Sequence, residues 1–482
     1  MALVSLSFFV FFAAVFALYW LLKRNVPQKL LILLASYVFY VLFDYRFTLI
    51  LVGISVLAFA FGRWIGIATN QSAKKWILGT GLALDLLILA VFKYFNFFSA
   101  GAAKLLSLFH ANADPVTLNL LLPIGISFYS FKAASYLIDV YRDNSLSCRN
   151  PLDIGVYIAF FPQLLSGPID RATTFLPQLT QARPFQYHQA LDGTRQVLWG
   201  VFKKAALADG IGVVVGPMMV NYATLQGPQL ALSAVLFSIQ IYCDVSGYTD
   251  IATGIAKLLG FRSMRSFAYP YLSQNVAEFW RRWNISVSSW FRDYVYIPLG
   301  GSRVERSRLA FNIIVTFVLS GLWHGTNVTF LAWGLMLGVA VAFTSLRRKT
   351  VLKAIDTPGG ERPSLAGIVK VLVTFAYVTI SWVFFQAASV GQALGILRRI
   401  FTPALSSHAW LAPFDVILEM GTLSIALLGF IVVEWVQRRR ECPLEMPRWP
   451  RPVRWAAYTL TLWLTVLLCN PSLSGNFLYY RF

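Results

Sequence analysis

Apolar runs long enough to cross a bilayer recur along this chain from residue 3 to residue 470, and no other feature limits its folding as much. A spanning helix needs about 20 mostly apolar residues to cover the ~30 Å hydrocarbon layer. The candidate runs are 3–22, 29–44, 47–62, 76–93, 119–140, 152–166, 228–245, 309–323, 328–346, 366–387, 417–436 and 453–470. No stretch between them is long enough to read as a soluble domain, so one integral membrane domain over 1–482 is predicted. Inside lipid every backbone polar group needs an internal partner, which leaves helices or a closed barrel. Runs of this length select helices, and the expected fold is an all-α polytopic membrane protein. The charged fraction agrees: it is 13%, against about 25% in soluble domains.

Charge then sets the direction of each crossing. The chain has 41 Lys+Arg against 21 Asp+Glu, a net charge of +20. In a soluble protein that excess points to nucleic acid, whereas in a polytopic one it points to basic loops held on the cytoplasmic side. The first run has no basic residue before it and Lys23-Arg24 after it, the reverse of a signal peptide's order, so it is expected to stay as a helix with its N-terminus outside. Threading from there puts Lys23, Arg24 and Lys29 inside, Asp44-Tyr45-Arg46 outside, Arg63, Lys74 and Lys75 inside, and Arg142 and Arg149 inside. From the other end, Arg347-Arg348-Lys349 and Arg438-Arg439-Arg440 with Arg448, Arg451 and Arg454 are inside, which leaves Phe482 outside. The two threads meet if 196–220, with Lys203-Lys204 and Asp209 in mid-run, makes no net crossing and forms a hairpin or an interfacial helix.

Segment 261–308 is of another kind. It holds Arg262, Arg265, Arg281, Arg282, Arg292, Arg303, Arg306 and Arg308, interleaved with Trp280, Trp283, Trp290, Tyr294 and Tyr296. One reading is an amphipathic surface helix with Trp at the headgroups and Arg on phosphates, and for most of these side chains it is the expected one. The other is the wall of a polar chamber let into the bilayer, where irregular backbone is tolerated only against protein or water.

Four histidines limit the search for imidazole chemistry. His110, His188 and His408 sit in polar surroundings and read as solvated loop residues. His324 differs. Leu309 to Trp323 is 15 residues, about 22 Å if helical, so His324 is expected within the membrane. An ionisable residue at that depth is a functional candidate, with packing glue as the bland alternative. Trp323-His324-Gly325-Thr326-Asn327 puts polar groups and a glycine beside the ring, as a cavity wall would. Asp244 and Asp250, six residues apart, fall on different helix faces and do not form a paired acid and base; pairing with arginines of 261–308 is expected. Pro123 and Gly125, and Gly167-Pro168-Ile169-Asp170-Arg171, read as helix breaks, and Gly334-x-x-x-Gly338 as a close helix contact. Cys148, Cys243, Cys442 and Cys469 lie far apart with no metal spacing, so neither a disulfide framework nor a metal site is expected.

Taken together, FWRRWNISVSSWFRDYVYIPLGGSR (279–303), SGLWHGTNVTF (320–330), LLPIGISFYSF, QIYCDVSGYTDIATG (240–254) and the ending NFLYYRF resemble the membrane-bound O-acyltransferase (MBOAT) superfamily. The nearest branch contains the alginate O-acetylation membrane subunit and the teichoic acid D-alanyl transfer protein. The resemblance implies a helical funnel of about 11 to 13 membrane helices with re-entrant or interfacial helices, in a bacterial inner membrane. It implies acyl transfer at His324, with no bound cofactor and with acetyl-CoA or another acyl thioester, free or on a carrier, as donor. The acceptor is an exported polysaccharide such as alginate or cellulose, reached with a separate periplasmic acetyltransferase. Where the family commonly has R-R-W-H-I-S, this chain has Arg282-Trp283-Asn284-Ile285-Ser286. Asn284 can donate or accept a hydrogen bond but cannot shuttle a proton at neutral pH.

His324 is therefore expected to act as general base, since imidazole with its ordinary pKa of about 6.5 is mostly neutral at pH 7. Arg282, Asn284, Ser286, Trp290, Tyr294, Trp323 and Asn327 are the candidate substrate-binding residues around it, with Asp244 and Asp250 as a structural polar cluster. A covalent acyl-histidine relay is a variant of the same chemistry. Rival classes are a transporter or flippase, and a non-catalytic scaffold for a periplasmic enzyme. No inverted repeat favours the former.

Overall fold

The computed structural model describes residues 3–109, 114, 116–118, 121–348, 364–402, 407–440, 444–446 and 449–470. His110, Lys349, Cys442, Arg448, Phe482 and the NFLYYRF ending lie outside them. Among the described residues all regular structure is helical. Five helical stretches are long and apolar enough to cross a membrane: Asn25–Ile67, Gln71–Leu108, Gly227–Leu258, Val328–Arg347 and Leu365–Gln386. Trp410–Glu419 with Thr422–Gln437, bent by 94°, makes a sixth if the pair is one broken span. The chain is a multi-pass, all-helical membrane protein. Composite stretches, and helices that hold charge such as Ile126–Arg142 with Lys132 and Asp139, account for the difference from the number of runs read in the sequence.

The chain divides into two compact units, the first comprising Leu6–Leu191 with Ile255–Met264, the second Asp192–Gly254 with the chain from Arg265 onward. In the first, Asp44 leaves the helical region (φ −160°, ψ 109°) and separates the helices Asn25–Asp44 and Thr48–Ile67. Lys29 pairs with Asp153 at 2.5 Å, and nearby Ser147 donates to the Gly62 carbonyl at 3.1 Å, so the start of one helix and the end of the other lie together as an antiparallel hairpin.

Run 152–166 does not cross. Its helix is only Pro151–Ala159, about 14 Å long. Beyond it the Phe161 amide donates to Ser36 Oγ at 3.0 Å, midway along Asn25–Asp44, and the chain then returns so that Asn25 Nδ2 donates to the Leu179 carbonyl at 2.7 Å. The segment is re-entrant. Its turn is stabilised by a buried relay: Lys132 Nζ donates to Gln163 Oε1 at 2.8 Å and Gln163 Nε2 donates to Asp170 Oδ2 at 2.6 Å. The helix ends where Phe160 leaves the helical region (ψ 104°), and the buried polar tip with Gly167-Pro168 beyond it keeps the run from resuming as a helix.

In the second unit the stretch around 196–220 is neither hairpin nor interfacial. Helix runs unbroken from Tyr187 through a π-helical turn, Phe202–Ala208, to Val220, and Lys203 and Lys204 are both buried. At 1.5 Å per residue this is about 50 Å, enough to cross.

Helices Arg306–His324 and Val328–Arg348 form the tightest hairpin of the second unit. A Cβ on Gly321 would lie 2.3 Å from the Phe330 carbonyl oxygen, and one on Gly334 2.5 Å from that of Phe317. The contact read at Gly334-x-x-x-Gly338 is thus a backbone contact, and a Cβ on Gly338 would fall 3.0 Å from Ile314 Cα. Gly334→Leu is expected to force the pair apart at a cost of about 1–3 kcal/mol. Thermal unfolding in detergent reads this as a lowered midpoint, and an unchanged midpoint would mean that the backbones part freely.

Candidate functional site

His324 ends its helix and is 5% exposed. The helix starts three residues earlier than Leu309, and its 19 residues rise about 28 Å, close to the full layer. Burial, and not the shortness expected from the sequence, is therefore what sequesters the imidazole. Its ring meets those of Trp323 at 4.8 Å, Trp333 at 5.1 Å and Phe385 at 5.4 Å between centroids, each edge-on at 72° to 89°. Trp333 stacks on Trp382 at 5.5 Å, and Trp382 meets Trp283 at 5.0 Å. The histidine is thus held on one side by a wall of tryptophans with little freedom to turn. Gly325 follows because the Phe330 ring would lie 2.2 Å from a Cβ there.

A cavity of about 310 Å³ opens along the same helix. Thr316, Phe317 and Ser320 of the His324 helix line it, and Ser320, four residues before His324, is one turn from it on the same face. The opposite wall comes from 261–308, which is not one amphipathic helix. It folds into the short helices Val276–Arg282 and Ile285–Phe291 and a π-helical turn Arg292–Tyr296. Trp280, Trp283 and Trp290 are buried at 9%, 2% and 7% and not laid on headgroups, because each packs against another ring. This favours the chamber-wall reading of the segment. Arg281, Arg292, Ser288 and Ser289 face the cavity, and so do Trp280 and Tyr296, whose Nε1 and hydroxyl are buried without a hydrogen-bond partner among the described residues.

The residues singled out in the sequence are close to this wall, but the cavity is lined by their neighbours. Arg282 turns to Glu278 at 2.7 Å, and burial lowers its pKa below the ordinary guanidinium value while Glu278 opposes that. Asn284 takes a left-handed conformation (φ 37°, ψ 60°), which asparagine accepts more readily than most residues, and its Oδ1 accepts from Ser286 Oγ at 3.2 Å. Trp290 and Tyr294 pack on each other at 5.2 Å. Trp323 lies against His324 and Phe291. Asn327 Nδ2 donates to the Ala388 carbonyl at 2.7 Å and so ties the His324 turn to the start of helix Val390–Phe401. Helical period separates the two sets: Ala277, Trp280 and Arg281, then Ile285, Ser288, Ser289 and Arg292, share a face at i, i+3, i+4 spacing. That spacing was readable once the two short helices were placed. His188 is exposed beside Tyr187, and the side chain of His408 lies outside the described residues.

Among the described residues the ion pairs of Asp244 and Asp250 are made with lysines, and not with the arginines of 261–308 that the sequence suggested. Lys204 Nζ lies 2.7 Å from Asp244 and 2.6 Å from Asp209, and Lys203 Nζ lies 2.6 Å from Asp250 and donates to Ser246 Oγ at 2.8 Å. The cause is a glycine crossing. A Cβ on Gly200 would stand 2.7 Å from the Gly247 carbonyl oxygen, and one on Gly247 2.8 Å from that of Gly200. Backbones this close let short reaches of lysine meet the aspartates before any arginine does.

A family model described as MBOAT, membrane-bound O-acyltransferase family, matches residues 32–387. The chain belongs to this family. As an MBOAT protein it is an acyltransferase, and its relatives fit the branch the motifs pointed to. It is 34% identical over 426 residues, 87% of this chain and 78% of the relative, to the "Probable alginate O-acetylase AlgI" of Pseudomonas aeruginosa. It is 30% identical to the peptidoglycan O-acetyltransferase of Helicobacter pylori over 78% of this chain and 74% of that protein. With the teichoic acid D-alanyltransferase of Bacillus subtilis it shares 28% identity over 56% of this chain and 69% of that one.

Proposed function

We infer that this MBOAT protein takes an acyl group, most simply acetyl, from a cytoplasmic thioester donor and delivers it across a bacterial inner membrane for O-acetylation of an exported polysaccharide. The observation that carries this is the buried His324 one helical turn from a cavity walled by serines, Thr316 and two arginines. Its volume is in the range of small-molecule sites, about 300–1,000 Å³. Arg281 and Arg292 would meet the phosphates of coenzyme A or of a carrier's prosthetic arm. Ser320 and Trp280 Nε1 supply neutral donors along the path toward His324, where an oxyanion gains most from preset hydrogen bonds in a dry site.

In the transfer, an acceptor hydroxyl oxygen attacks the thioester carbonyl carbon as His324 takes its proton. The carbon–sulfur bond breaks and the departing thiolate receives that proton, so the imidazole ends neutral and no metal or redox partner enters the balance. Acceptors on this reading are alginate, cellulose or a related exported polymer, with a separate periplasmic acetyltransferase as partner. Purified protein incubated with labelled acetyl-CoA, the polymer and its periplasmic partner is expected to release thiol and pass label to the polymer. Failure to do either, with donor bound, would overturn the reading. Arg281→Gln should raise the donor KM about tenfold while changing kcat little, since it removes a contact made equally in ground and transition states. Parallel KM and kcat measurements check this, and an unchanged KM would move the donor elsewhere.

A further inference from the structure

A second cleft, of about 470 Å³, lies where two spanning stretches reach their ends. One wall is the 222–227 segment that leads into the span Gly227–Leu258, and the other is helix Val390–Phe401, which follows the span Leu365–Gln386 after 387–389. Two glycines let these walls approach. A Cβ on Gly227 would stand 2.4 Å from the Arg399 carbonyl oxygen, and one on Gly395 3.3 Å from the Tyr222 ring. Because Gly227 opens a span, the contact holds Arg399 near the level where hydrocarbon gives way to headgroups. Arg398, Arg399, Tyr222, Gln226 and Thr402 line the cleft, and among the described residues no acidic one does. Arg399 Nη1 donates to the Leu225 carbonyl at 3.0 Å, whereas the Arg398 guanidinium has neither hydrogen bond nor ion pair among the described residues. A helix C-terminus favours nearby cations through its dipole, but the dipole explains neither the cleft nor the side chains flanking Arg398. Leu394, Arg398 and Phe401 fall at i, i+4 and i+7 on one helix face, and all three are exposed. A cation set between exposed apolar side chains at a membrane boundary suits a phosphate whose own chains continue into the bilayer.

The same helix holds the His324 turn. The Ala388 carbonyl at its start accepts from Asn327 Nδ2 at 2.7 Å, and the Ala388 amide donates to Gln392 Oε1 at 2.8 Å. We propose that this cleft binds the phosphate of an anionic phospholipid, with Arg398 and Arg399 on its oxygens and its chains beside Leu394 and Phe401, and that the bound lipid steadies helix Val390–Phe401 and with it the His324 turn. The guanidinium fork matches phosphate oxygens, and Gln226 and Tyr222 supply neutral donors beside it. A zwitterionic headgroup would bring its own ammonium toward two guanidinium groups, so repulsion as well as attraction selects the anionic class. A free phosphate ion would make no use of Leu394 and Phe401.

The test uses the full-length protein in phosphatidylcholine nanodiscs, with phosphatidylglycerol added in steps and retained lipid counted by native mass spectrometry. Wild type is expected to retain phosphatidylglycerol in preference to phosphatidylcholine. Arg398→Gln should weaken that retention about tenfold, the loss of one charge-assisted contact. Its thermal midpoint should stay at the wild-type value, since Arg398 has no side-chain partner among the described residues. Leu394→Ser should weaken retention of the lipid as well. Deuterium uptake over 323–330 should fall as phosphatidylglycerol binds wild type, and should not fall in Arg398→Gln. Undiminished retention in Arg398→Gln and in the Arg398→Gln/Arg399→Gln double variant overturns the proposal. So does displacement of the lipid by inorganic phosphate with Leu394→Ser binding like wild type, which assigns the cleft to a free anion. Uptake that stays constant while lipid binds overturns the link to the His324 turn.

Discussion

Replacing His324 with glutamine is expected to abolish acyl transfer to the polymer while the protein still folds and inserts. Glutamine keeps a hydrogen-bonding head of similar reach but cannot accept a proton at neutral pH. A positioned general base contributes about 10²–10⁴-fold, and at least that factor should vanish from kcat/KM. The structural cost should be modest by comparison, since Trp333, Phe385 and Trp382 pack on one another and keep their places without the imidazole. Label transfer from acetyl-CoA, read beside the thermal midpoint, separates the two effects. Wild-type transfer in a folded His324→Gln variant would sink the assignment of His324 as the base and leave it as packing between helices. Slow thiol release that persists in the variant would fit residual positioning by the cavity, as seen wherever one member of a catalytic unit is removed.

The largest loss of stability is expected far from the reacting atoms, at Lys204. Its ammonium is held between Asp209 at 2.6 Å and Asp244 at 2.7 Å, and the side chains are 3%, 7% and 1% exposed. Lys204→Met removes the cation and leaves two carboxylates in an apolar interior. Breaking a buried ion pair from one side costs about 3–5 kcal/mol, mostly the desolvation of the partner left behind. Thermal unfolding and yield in detergent should both fall steeply. Pairing Lys204→Met with Asp244→Leu should recover part of the loss, because the second change removes the more buried of the two orphaned charges. If the single variant melts like wild type, or the double variant melts no higher than the single, the triad does not hold these helices together.

What hydropathy could reach was the class of fold. That signal is local and cumulative, since it builds up over many separate apolar runs. The Gly334-x-x-x-Gly338 contact was legible for the same reason, since small residues four apart make a flat strip on any helix. The two runs misread as to crossing failed for opposite physical reasons. Run 152–166 is apolar because it is buried in protein, and periodicity cannot tell a nine-residue buried helix from part of a span. The helix through Lys203 and Lys204 carries too much charge to look like a span, since of its neutralising aspartates only Asp209 is its own and Asp244 and Asp250 lie on another helix. That pairing is a fact about distant segments, and nothing in the spacing of Asp244 and Asp250 marks their partners as lysines. At the site, His324 stood out through its neighbours, whereas Arg281, Ser288 and Tyr296 were hidden among residues of the same kinds.

The π-helical turn Phe202–Ala208 sets a limit on how this chain can vary. Wide turns of this kind arise when a helix takes in one extra residue. Removing that residue would restore ordinary winding, but it would also swing everything beyond it by about 100°. Lys203 and Lys204 would lose register with Asp244 and Asp250, and Gly200 would still have to sit against Gly247. Among homologous sequences, then, residues 200–209 should tolerate exchanges of side chain far better than any change in length. A one-residue gap there should appear only alongside altered charges on the helix it crosses.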